Sequence, residues 1–326
     1  MSKLDEYKET METILKHLKD NTEWIERYNG YINRIENYKK RQKDLRKYVQ
    51  IPKVLKAYLN ISMITSGMSF DLRFHGNSVA ELNIKGEKAK LVIKQNAVEY
   101  AEHNFNVFTG EVDWLDDKAR EFRKYFRDND FKFHHKEHYY ESEIITNFSK
   151  KTKEEKSLFN IQPVKLCGYP FQMPTPFKGS KAKEDEIGYA GKSGGGIDIL
   201  ARTGSGKNTK LTVIELKDTQ TCYEKNTESP NRAIKQAICY ATFLYELLRN
   251  KGIKDNQYWW EFFGFKSNIP SILCLRAVVM IPYYEGIESS FANEKLYLND
   301  KDYIELHYIY YNADNVKEKA ITSLEL

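Results

Sequence analysis

The hydrophobic pattern of residues 3–48 predicts a helical hairpin. Apolar residues recur every three or four positions between Leu4 and Leu18, and a second stretch rich in Glu, Lys, Ile and Tyr continues to Tyr48 without a proline. Apolar residues at this spacing line one face of a helix. The polar sequence Asp20-Asn21-Thr22 separates the two stretches, so we expect the turn of the hairpin there.

Between residues 68 and 95 the spacing changes, and apolar residues alternate with polar ones. The alternating runs cover residues 70–74, 80–84 and 91–93. Side chains alternate between the two faces of a strand, so each run gives a strand with one apolar face. Turn sequences at residues 76–77 and 86–87 join the runs into a predicted three-stranded meander. Residues 97–130 return to helical spacing.

The rest of the chain has the predicted element order αβββαβ. The helices are predicted over residues 136–157 and 231–249, an extended segment over 164–177, and strands over 197–201, 211–217 and 272–282. Ser229 can cap the second helix and Pro230 suits its first turn. We therefore expect an α/β protein in which a smaller α+β N-terminal module, residues 1–130, precedes a domain with a mixed sheet, residues 131–326.

Composition favours a globular protein and does not identify a partner. The chain of 326 residues is 41% hydrophobic, and 51 Lys and Arg against 46 Asp and Glu leave a formal charge of only +5. It begins with MSKLDEYKET, where a secretory signal would need an apolar stretch, and the best apolar run, residues 272–281, is interrupted by Arg276. We expect a cytoplasmic protein with no membrane partner.

Three charged residues meet on the central predicted hairpin. The polar stretch over residues 202–210 should close that hairpin. With the turn centred between residues 206 and 207, Asp198 lies opposite Glu215, and Lys217 shares their face because side chains alternate along a strand. Their neighbours are apolar, so these charges need compensation. A charged network on a solvent-facing edge hairpin is the alternative.

A hard divalent cation would compensate the two carboxylates. Mg²⁺ prefers oxygen ligands and commonly takes one or two protein carboxylates together with water and substrate phosphate. Asp198 and Glu215 are therefore candidate ligands of Mg²⁺, for which Mn²⁺ is a substitute. Phosphodiester hydrolysis suits this arrangement, because the metal would polarise a phosphoryl oxygen while Lys217 orients the water and stabilises the transition state.

The same residues resemble a known family. The sequence GGGID, which ends at Asp198, and the sequence ELK at residues 215–217 lie in an αβββαβ order. This combination resembles the PD-(D/E)XK nuclease superfamily, in which an Asp begins one strand and a Glu-x-Lys lies on the next. The resemblance covers about residues 140–282 and implies a restriction-endonuclease-like fold. The chain departs from the pattern at Ile197, which precedes Asp198 where the family name has a proline.

The resemblance extends to two further elements. Gln236 and Tyr240, four residues apart on one helical face, look like the QxxxY element of RecB-like and lambda-exonuclease-like members. The resemblance implies that both are catalytic and that Gln236 orients the site. The alternative for Tyr240 is a residue of the core. The family often adds an acidic residue from its first helix, where Glu143 fits best as a metal ligand. Glu137 and Glu141 are close enough in helical phase to take its place.

These features lead us to expect a Mg²⁺-dependent nuclease, a hydrolase for which DNA is favoured over RNA by family resemblance. A role in defence against foreign DNA or in repair follows only from where such nucleases are found. The main alternative is a non-catalytic module of the same fold that binds nucleic acid or protein. A two-carboxylate glycoside hydrolase is a more distant third, because it has no need for the lysine of Glu-x-Lys.

A basic stretch of the second predicted helix is a candidate nucleic-acid contact. Lys39, Lys40, Arg41 and Lys43 belong to the densest positive patch of the chain, residues 38–48. Lys and Arg contacts to phosphates supply affinity that does not depend on sequence. A solvated helix face is the alternative, and the N-terminal module could instead pair two copies of the chain or bind a partner protein.

Overall fold

The fold is given by a computed structural model with two compact units. It describes residues 2–48, 51, 55–61, 68–85, 88–94, 110–128, 136–149, 160–179, 187–219, 222, 229–283, 291–316 and 321–324, with backbone only for 41–48 and 136. The first unit comprises Met1–Ile32, Ile144–Val164 and Met173–Leu326, and the second comprises Asn33–Glu143 and Lys165–Gln172.

The predicted helical hairpin is confirmed, and the later helices follow it in the chain. The α-helices are α1 (Lys3–Asp20), α2 (Glu23–Tyr48), α3 (Asp117–Asp128), α4 (Lys136–Ser149), α5 (Pro230–Arg249) and α6 (Asn256–Phe262). α1 begins with a capping box in which Ser2 Oγ accepts from the backbone N–H of Asp5 and the Asp5 carboxylate accepts from that of Ser2. None of the described helices combines the length and apolarity needed to cross a membrane.

The strands are numbered along the chain and are mostly short between residues 162 and 197. They are β1 (Leu55–Leu59), β2 (Met68–Phe74), β3 (Asn77–Lys85), β4 (Lys88–Ile93), β5 (Gly110–Asp113), β6 (Gln162–Pro163), β7 (Lys165–Leu166), β8 (Tyr169–Pro170), β9 (Met173–Pro174), β10 (Phe177–Gly179), β11 (Ile187–Tyr189), β12 (Gly196–Ile197), β13 (Ile199–Thr203), β14 (Lys210–Leu216), β15 (Cys274–Pro282), β16 (Lys295–Tyr297) and β17 (Tyr303–Tyr311). The strands predicted over residues 211–217 and 272–282 are confirmed with small shifts at their ends. The strand predicted over 197–201 is instead divided at Asp198 between β12 and β13, which belong to different sheets.

The second unit contains a five-stranded antiparallel sheet with the order β1-β2-β3-β4-β5. The predicted meander is confirmed as β2, β3 and β4, and its alternating apolar residues are buried. The helix predicted over residues 97–130 is confirmed over α3. The prediction is wrong at β5, which is an edge strand whose Val112 pairs with Leu91 of β4. Residues 95–109 lie outside the described residues.

The first unit contains a six-stranded mixed sheet with the order β16-β17-β15-β14-β13-β6. β14, β15 and β17 run parallel to one another, whereas β13 is antiparallel to both β14 and β6, and β16 is antiparallel to β17. β15 is buried along its whole length, as expected for a central parallel strand covered on both faces. α5 packs against β14 and β15, and α1 packs against α5.

The helix α5 begins where its end signals predict. Ser229 Oγ accepts from the backbone N–H of Arg232 at 3.3 Å, and Pro230 is its first residue. The helix ends at Arg249, where the N–H of Asn250 donates to the carbonyl of Glu246 at 2.8 Å. Fourteen of the 20 residues of α5 are buried, so the helix is the core element behind the sheet.

The grouping of α1 differs from the predicted boundary at residue 130. α1 shares a unit with α5 and the six-stranded sheet. Lys235 of α5 forms an ion pair with Glu6 of α1 at 3.1 Å, and Tyr7 meets Phe291 edge-on with ring centroids 6.3 Å apart. The sequence reveals which face of α1 is apolar but not which element covers that face. The predicted boundary therefore grouped α1 with the elements that follow it in the chain.

Candidate active site on the β13–β14 hairpin

The predicted register of the central hairpin is confirmed. Ile199 of β13 lies opposite Ile214 of β14, and this pairing continues in register towards the turn. Asp198 precedes β13 by one residue, so the same register puts it opposite Glu215. The carboxylate Oδ2 of Asp198 accepts from the backbone N–H of Leu216 at 3.0 Å. Asp198 is therefore attached to the strand that carries Glu215.

The turn of this hairpin is closed by glycines in unusual backbone conformations. Gly204 has a φ of +86° and Gly206 a φ of +54°, a region that residues with a side chain rarely adopt. A Cβ on Gly204 would lie 2.8 Å from the carbonyl oxygen of Asn208. These glycines fix the length of the loop, and the loop in turn fixes the register of Asp198 against Glu215.

Glu215 and Lys217 form a buried ion pair. Lys217 Nζ donates to Glu215 Oε1 at 2.8 Å, and each side chain is only 5% exposed. The backbone N–H of Lys217 donates to the carbonyl of Met280 at 3.0 Å, and the Tyr311 hydroxyl donates to the Lys217 carbonyl at 3.1 Å. The solvent-facing alternative is therefore wrong for these two residues, because β14 is an interior strand.

Asp218 is a buried carboxylate that the sequence analysis did not select. It follows Lys217 directly and is buried like it. Its signal in the sequence was its position at the carboxyl end of a buried strand, where α/β proteins commonly bind ligands. Asp218 therefore adds a buried carboxyl group directly after the predicted motif in the chain.

Tyr240 lies within electrostatic reach of all three charged residues. It is buried on α5, and burial is the largest cause that raises the pKa of its hydroxyl. The carboxylates of Glu215 and Asp198 raise that pKa further, while Lys217 lowers it. The hydroxyl therefore stays protonated and can act only as a neutral hydrogen-bonding group at neutral pH. The structure brings Tyr240 together with the predicted trio.

Gln236 is buried one helical turn before Tyr240, beside β10. Its Nε2 is so close to Gly179 that a Cβ there would lie 2.8 Å from it. Its Oε1 is buried and accepts no hydrogen bond among the described residues. An unsatisfied buried acceptor costs about 1–3 kcal/mol, so a ligand N–H or O–H would be stabilised at this position.

The glycines before Asp198 allow a close approach of two backbone segments. A Cβ on Gly194 would lie 2.0 Å from the Thr175 carbonyl oxygen and 2.8 Å from the carbonyl carbon of Pro176. Next to it, the N–H of Gly195 donates to the Phe177 carbonyl at 2.7 Å. This tight packing holds the segment that enters the hairpin at Asp198.

Glu143, the predicted third acidic ligand, is assigned to the second unit. Its Oε1 lies 4.0 Å from Lys56 Nζ, at the limit of an ion pair. Glu141, the alternative from the same helix, is buried and pairs with Arg73 at 3.2 Å in that unit. The role of Glu143 as a metal ligand stays a prediction.

The basic residues of α2 that were predicted to contact nucleic acid lie in the second unit. Lys39 and Lys40 are exposed, and Lys39 Nζ lies 3.4 Å from Glu36 Oε1. The side chains of Arg41 and Lys43 lie outside the described residues. The first two lysines are therefore accessible, and their predicted contact with phosphates stays a prediction.

The donor chemistry of the hairpin fits Mg²⁺ better than a metal that prefers nitrogen or sulfur. Among the residues that the structure describes, no group of three or more His, Cys, Asp or Glu side chains could hold a metal ion. Asp198 and Glu215 offer two carboxylates on paired strands. That number suffices for Mg²⁺, which keeps several waters and substrate oxygens in its shell, whereas structural zinc sites need four protein ligands.

Comparison with known proteins adds no relative. No protein-family model, no curated protein and no solved structure matches this chain. The resemblance to PD-(D/E)XK nucleases therefore stays a prediction from the motif residues, namely Asp198, Glu215 and Lys217 on the hairpin and Gln236 and Tyr240 on α5. Of these five, the structure brings the hairpin residues and Tyr240 into one electrostatic cluster.

Proposed function

We propose that the chain is a metal-dependent nuclease of the restriction-endonuclease-like fold, with Mg²⁺ as its metal and DNA favoured over RNA as its substrate. The observation that carries the proposal is the hairpin register, which aligns Asp198 with Glu215 beside the buried Lys217. Within the six-stranded sheet, β6, β13 and β14 are followed by α5 and β15, which is the βββαβ part of the implied order once the short strands β7 to β12 of the smaller sheets are set aside. A nuclease would use this carboxylate pair to position a phosphodiester.

Asp198 and Glu215 would hold the metal, which when bound polarises the scissile phosphate and acidifies the attacking water. Lys217 supplies positive charge where negative charge develops on the phosphorus oxygens. An ammonium has three N–H donors, so Lys217 can bond Glu215 and a substrate oxygen together. Burial makes each of these interactions stronger than it would be in water.

Tyr240 and Gln236 would orient the substrate from α5. The raised pKa of Tyr240 excludes it as a general base near neutral pH, so its hydroxyl donates a hydrogen bond. The Gln236 amide would bind a group with its buried Oε1. Both residues are positioned by the same rigid helix, which keeps their separation fixed.

A second candidate function is a non-catalytic binding module on the same fold. The observation in its favour is the closed ion pair between Glu215 and Lys217, at 2.8 Å and almost fully buried. Such pairs can be kept for structural specificity without any catalytic role. Under this alternative Asp198 and Glu215 would not bind metal with useful affinity.

The first test is a cleavage assay combined with calorimetric metal titration. Plasmid, linear duplex, single-stranded DNA and RNA are incubated with Mg²⁺, Mn²⁺ or a chelator. We expect cleavage only with metal. Asp198→Asn and Glu215→Gln should each weaken metal binding, because each removes a charged oxygen ligand. Lys217→Met should keep most of the metal affinity and lose roughly 100-fold or more in turnover.

Asp300→Asn serves as the control, because Asp300 is an exposed carboxylate in the same unit and lies outside the hairpin. It should bind metal and cleave like the unmodified protein. The proposal is wrong if no substrate is cleaved with either metal and both site variants bind metal as the unmodified protein does. That result would favour the non-catalytic module.

A further inference from the structure

Three tyrosines are in contact at the carboxyl end of the parallel strands. Tyr308 and Tyr310 of β17 are stacked, with ring centroids 4.4 Å apart and 16° between their planes. Tyr283, directly after β15, meets Tyr310 edge-on with centroids 6.3 Å apart. We call these three residues the tyrosine cluster. All of them belong to the first unit, together with the candidate active site.

The tyrosine cluster shares a sheet face with the candidate active site. Glu215 is in register with Val279 of β15, and Val279 is in register with Tyr308. Residues in register on parallel strands project from the same face. Lys217 and Tyr310 lie two residues further along their strands, so they share this face as well. The charged residues and the tyrosines are therefore separated by the width of β15 only.

Strand geometry puts Tyr283 close to Lys217. The backbone of Lys217 bonds to Met280, so Lys217 is level with residue 281, two residues before Tyr283. With neighbouring strands about 4.8 Å apart and about 3.3 Å per residue, the two Cα atoms are about 8 Å apart. Tyr283 and Lys217 therefore lie close together at the same edge of the sheet.

Tyr283 presents an exposed ring on a buried support. Its side chain is 56% exposed, whereas Tyr310 beneath it is only 5% exposed. The backbone N–H of Tyr283 donates to the Tyr311 carbonyl at 2.8 Å, so the chain there continues the pairing of β15 with β17. A tyrosine held in this way offers a flat apolar ring to a partner at a low cost in side-chain entropy.

We propose that Tyr283 stacks on an unpaired nucleobase next to the phosphodiester bond held at Asp198, Glu215 and Lys217. The substrate is then a single-stranded or locally unpaired segment of nucleic acid. The identity of the ligand rests on the proposed nuclease function. Bases in a duplex already stack on each other, whereas an unpaired base has a free face. Stacking on an aromatic ring adds affinity with little dependence on sequence, because every base has such a face.

The test measures binding without cleavage, by fluorescence anisotropy in the presence of a chelator. The probes are a labelled oligothymidylate, an abasic strand of equal length and charge, a single-stranded oligouridylate and a DNA duplex. We expect Tyr283→Ala to bind the oligothymidylate roughly tenfold more weakly, within the range found for loss of one stacked base. Tyr283→Phe should bind the oligothymidylate with the affinity of the unmodified protein. The abasic strand should bind to Tyr283→Ala and to the unmodified protein with equal affinity.

Tyr297→Ala is the matched control. Tyr297 is a tyrosine of nearly equal exposure, 59%, and it pairs with Tyr303 at the far end of β17 from the tyrosine cluster. Its replacement should leave every affinity unchanged. Comparison of oligothymidylate with oligouridylate shows whether DNA or RNA binds better, and the duplex should bind more weakly than either in the unmodified protein.

The outcomes separate this inference from the proposed function. The inference is wrong if Tyr283→Ala binds the oligothymidylate with normal affinity, or if its affinity for the abasic strand falls by the same factor as its affinity for the oligothymidylate. It is also wrong if the unmodified protein binds no nucleic acid. If the protein cleaves nucleic acid with metal and Tyr283→Ala binds normally, the nuclease proposal is supported and the stacking site is wrong. Base-dependent binding that needs the Tyr283 ring, without cleavage by any metal, would leave the stacking site standing alone.

Discussion

Glu305 lies in a row of polar side chains on the sheet face opposite to Glu215. It is in register with Arg276 of β15, whose Nε lies 3.2 Å from its Oε2, and His307 Nε2 lies 3.6 Å from the same oxygen. His307 and then Arg276 lower the pKa of Glu305 from 4.5 to about 2, against the opposing effect of burial. The charged form of Glu305 therefore stabilises the folded protein.

This pKa predicts how stability changes in acid. A carboxylate with a folded pKa of about 2 and an unfolded pKa near 4.5 contributes its full stabilisation above pH 4.5 and loses it as the pH falls to about 2. In Glu305→Gln the decrease in unfolding free energy between pH 4.5 and 2 should therefore be smaller than in the unmodified protein, by at most about 3 kcal/mol. Urea unfolding followed by tryptophan fluorescence at several pH values measures it.

The control for this experiment is Glu294→Gln, which changes an exposed glutamate of the same unit. Its unfolding free energy should follow the pH dependence of the unmodified protein. If the unfolding free energies of Glu305→Gln and of the unmodified protein fall by the same amount between pH 4.5 and 2, the stabilising role assigned to the ionised Glu305 is wrong.

At the residue scale, strand alternation and hairpin length sufficed to predict that Asp198, Glu215 and Lys217 share a face. The sequence could not predict that Lys217 pairs with Glu215, because alternation fixes the direction of a side chain and not the rotamer that brings two atoms to 2.8 Å. The environment of Gln236 was equally hidden, since its neighbour Gly179 lies far away in the chain.

At the element scale, the entry to the candidate site depends on a glycine. Gly194 ends a short 3-10 turn with a φ of −65°, so its backbone conformation is open to other residues. Its requirement is space, because the segment from Thr175 to Phe177 fills the position of a Cβ. A side chain at Gly194 would push apart the two segments that hold Asp198.

We expect Gly194→Ala to lower the free energy of unfolding by about 1–3 kcal/mol, the usual cost of inserting a methyl group into a packed site. Metal binding at Asp198 should weaken as well. Gly188→Ala is the matched control, because a Cβ there meets no atom within 4 Å. Chemical denaturation of both variants measures the difference. Equal stability of the two variants would show that residues 175–177 move aside freely.

Long elements with clear periodicity were predictable and short ones were not. α5 has both an apolar pattern and capping residues, and its predicted limits are confirmed almost to the residue. The strands β6 to β12 have two or three residues each, too few for any period, and the sequence showed only one extended segment there. Their pairing comes from contacts such as Gly196 with Pro174, which residue type does not encode.

At the scale of the whole molecule, α1 connects the start of the chain to the unit that contains the candidate site. The residues of α1 that are almost fully buried are Tyr7, Met11, Ile14 and Leu18. Each large apolar side chain contributes about 1.5–3 kcal/mol when buried. Together they account for about 6–12 kcal/mol, which is comparable to the whole stability of a typical domain.

A fragment cut at the predicted boundary should therefore fail to fold. We expect residues 131–326 alone to lack a cooperative thermal transition and to bind an apolar dye, because the side of α5 that α1 covers becomes exposed. Calorimetry and dye fluorescence measure this. A synthetic peptide of residues 1–22 should restore part of the transition, whereas the same peptide with Met11 and Ile14 changed to Asp should not. A cooperative transition of the fragment alone would contradict the role of α1.

The contact between α1 and α5 also determines when the apolar face of α1 can be covered during synthesis. More than two hundred residues separate Glu6 from its partner Lys235, and the separation between Tyr7 and Phe291 is larger still. At typical translation rates the ribosome needs roughly 10–50 s to make that length of chain. Until then the apolar stripe of the first helix lacks the cover that α5 provides in the folded protein. Tyr311 of β17, whose hydroxyl donates to the Lys217 carbonyl, is made later still, so this support of the ion pair can form only after the hairpin itself.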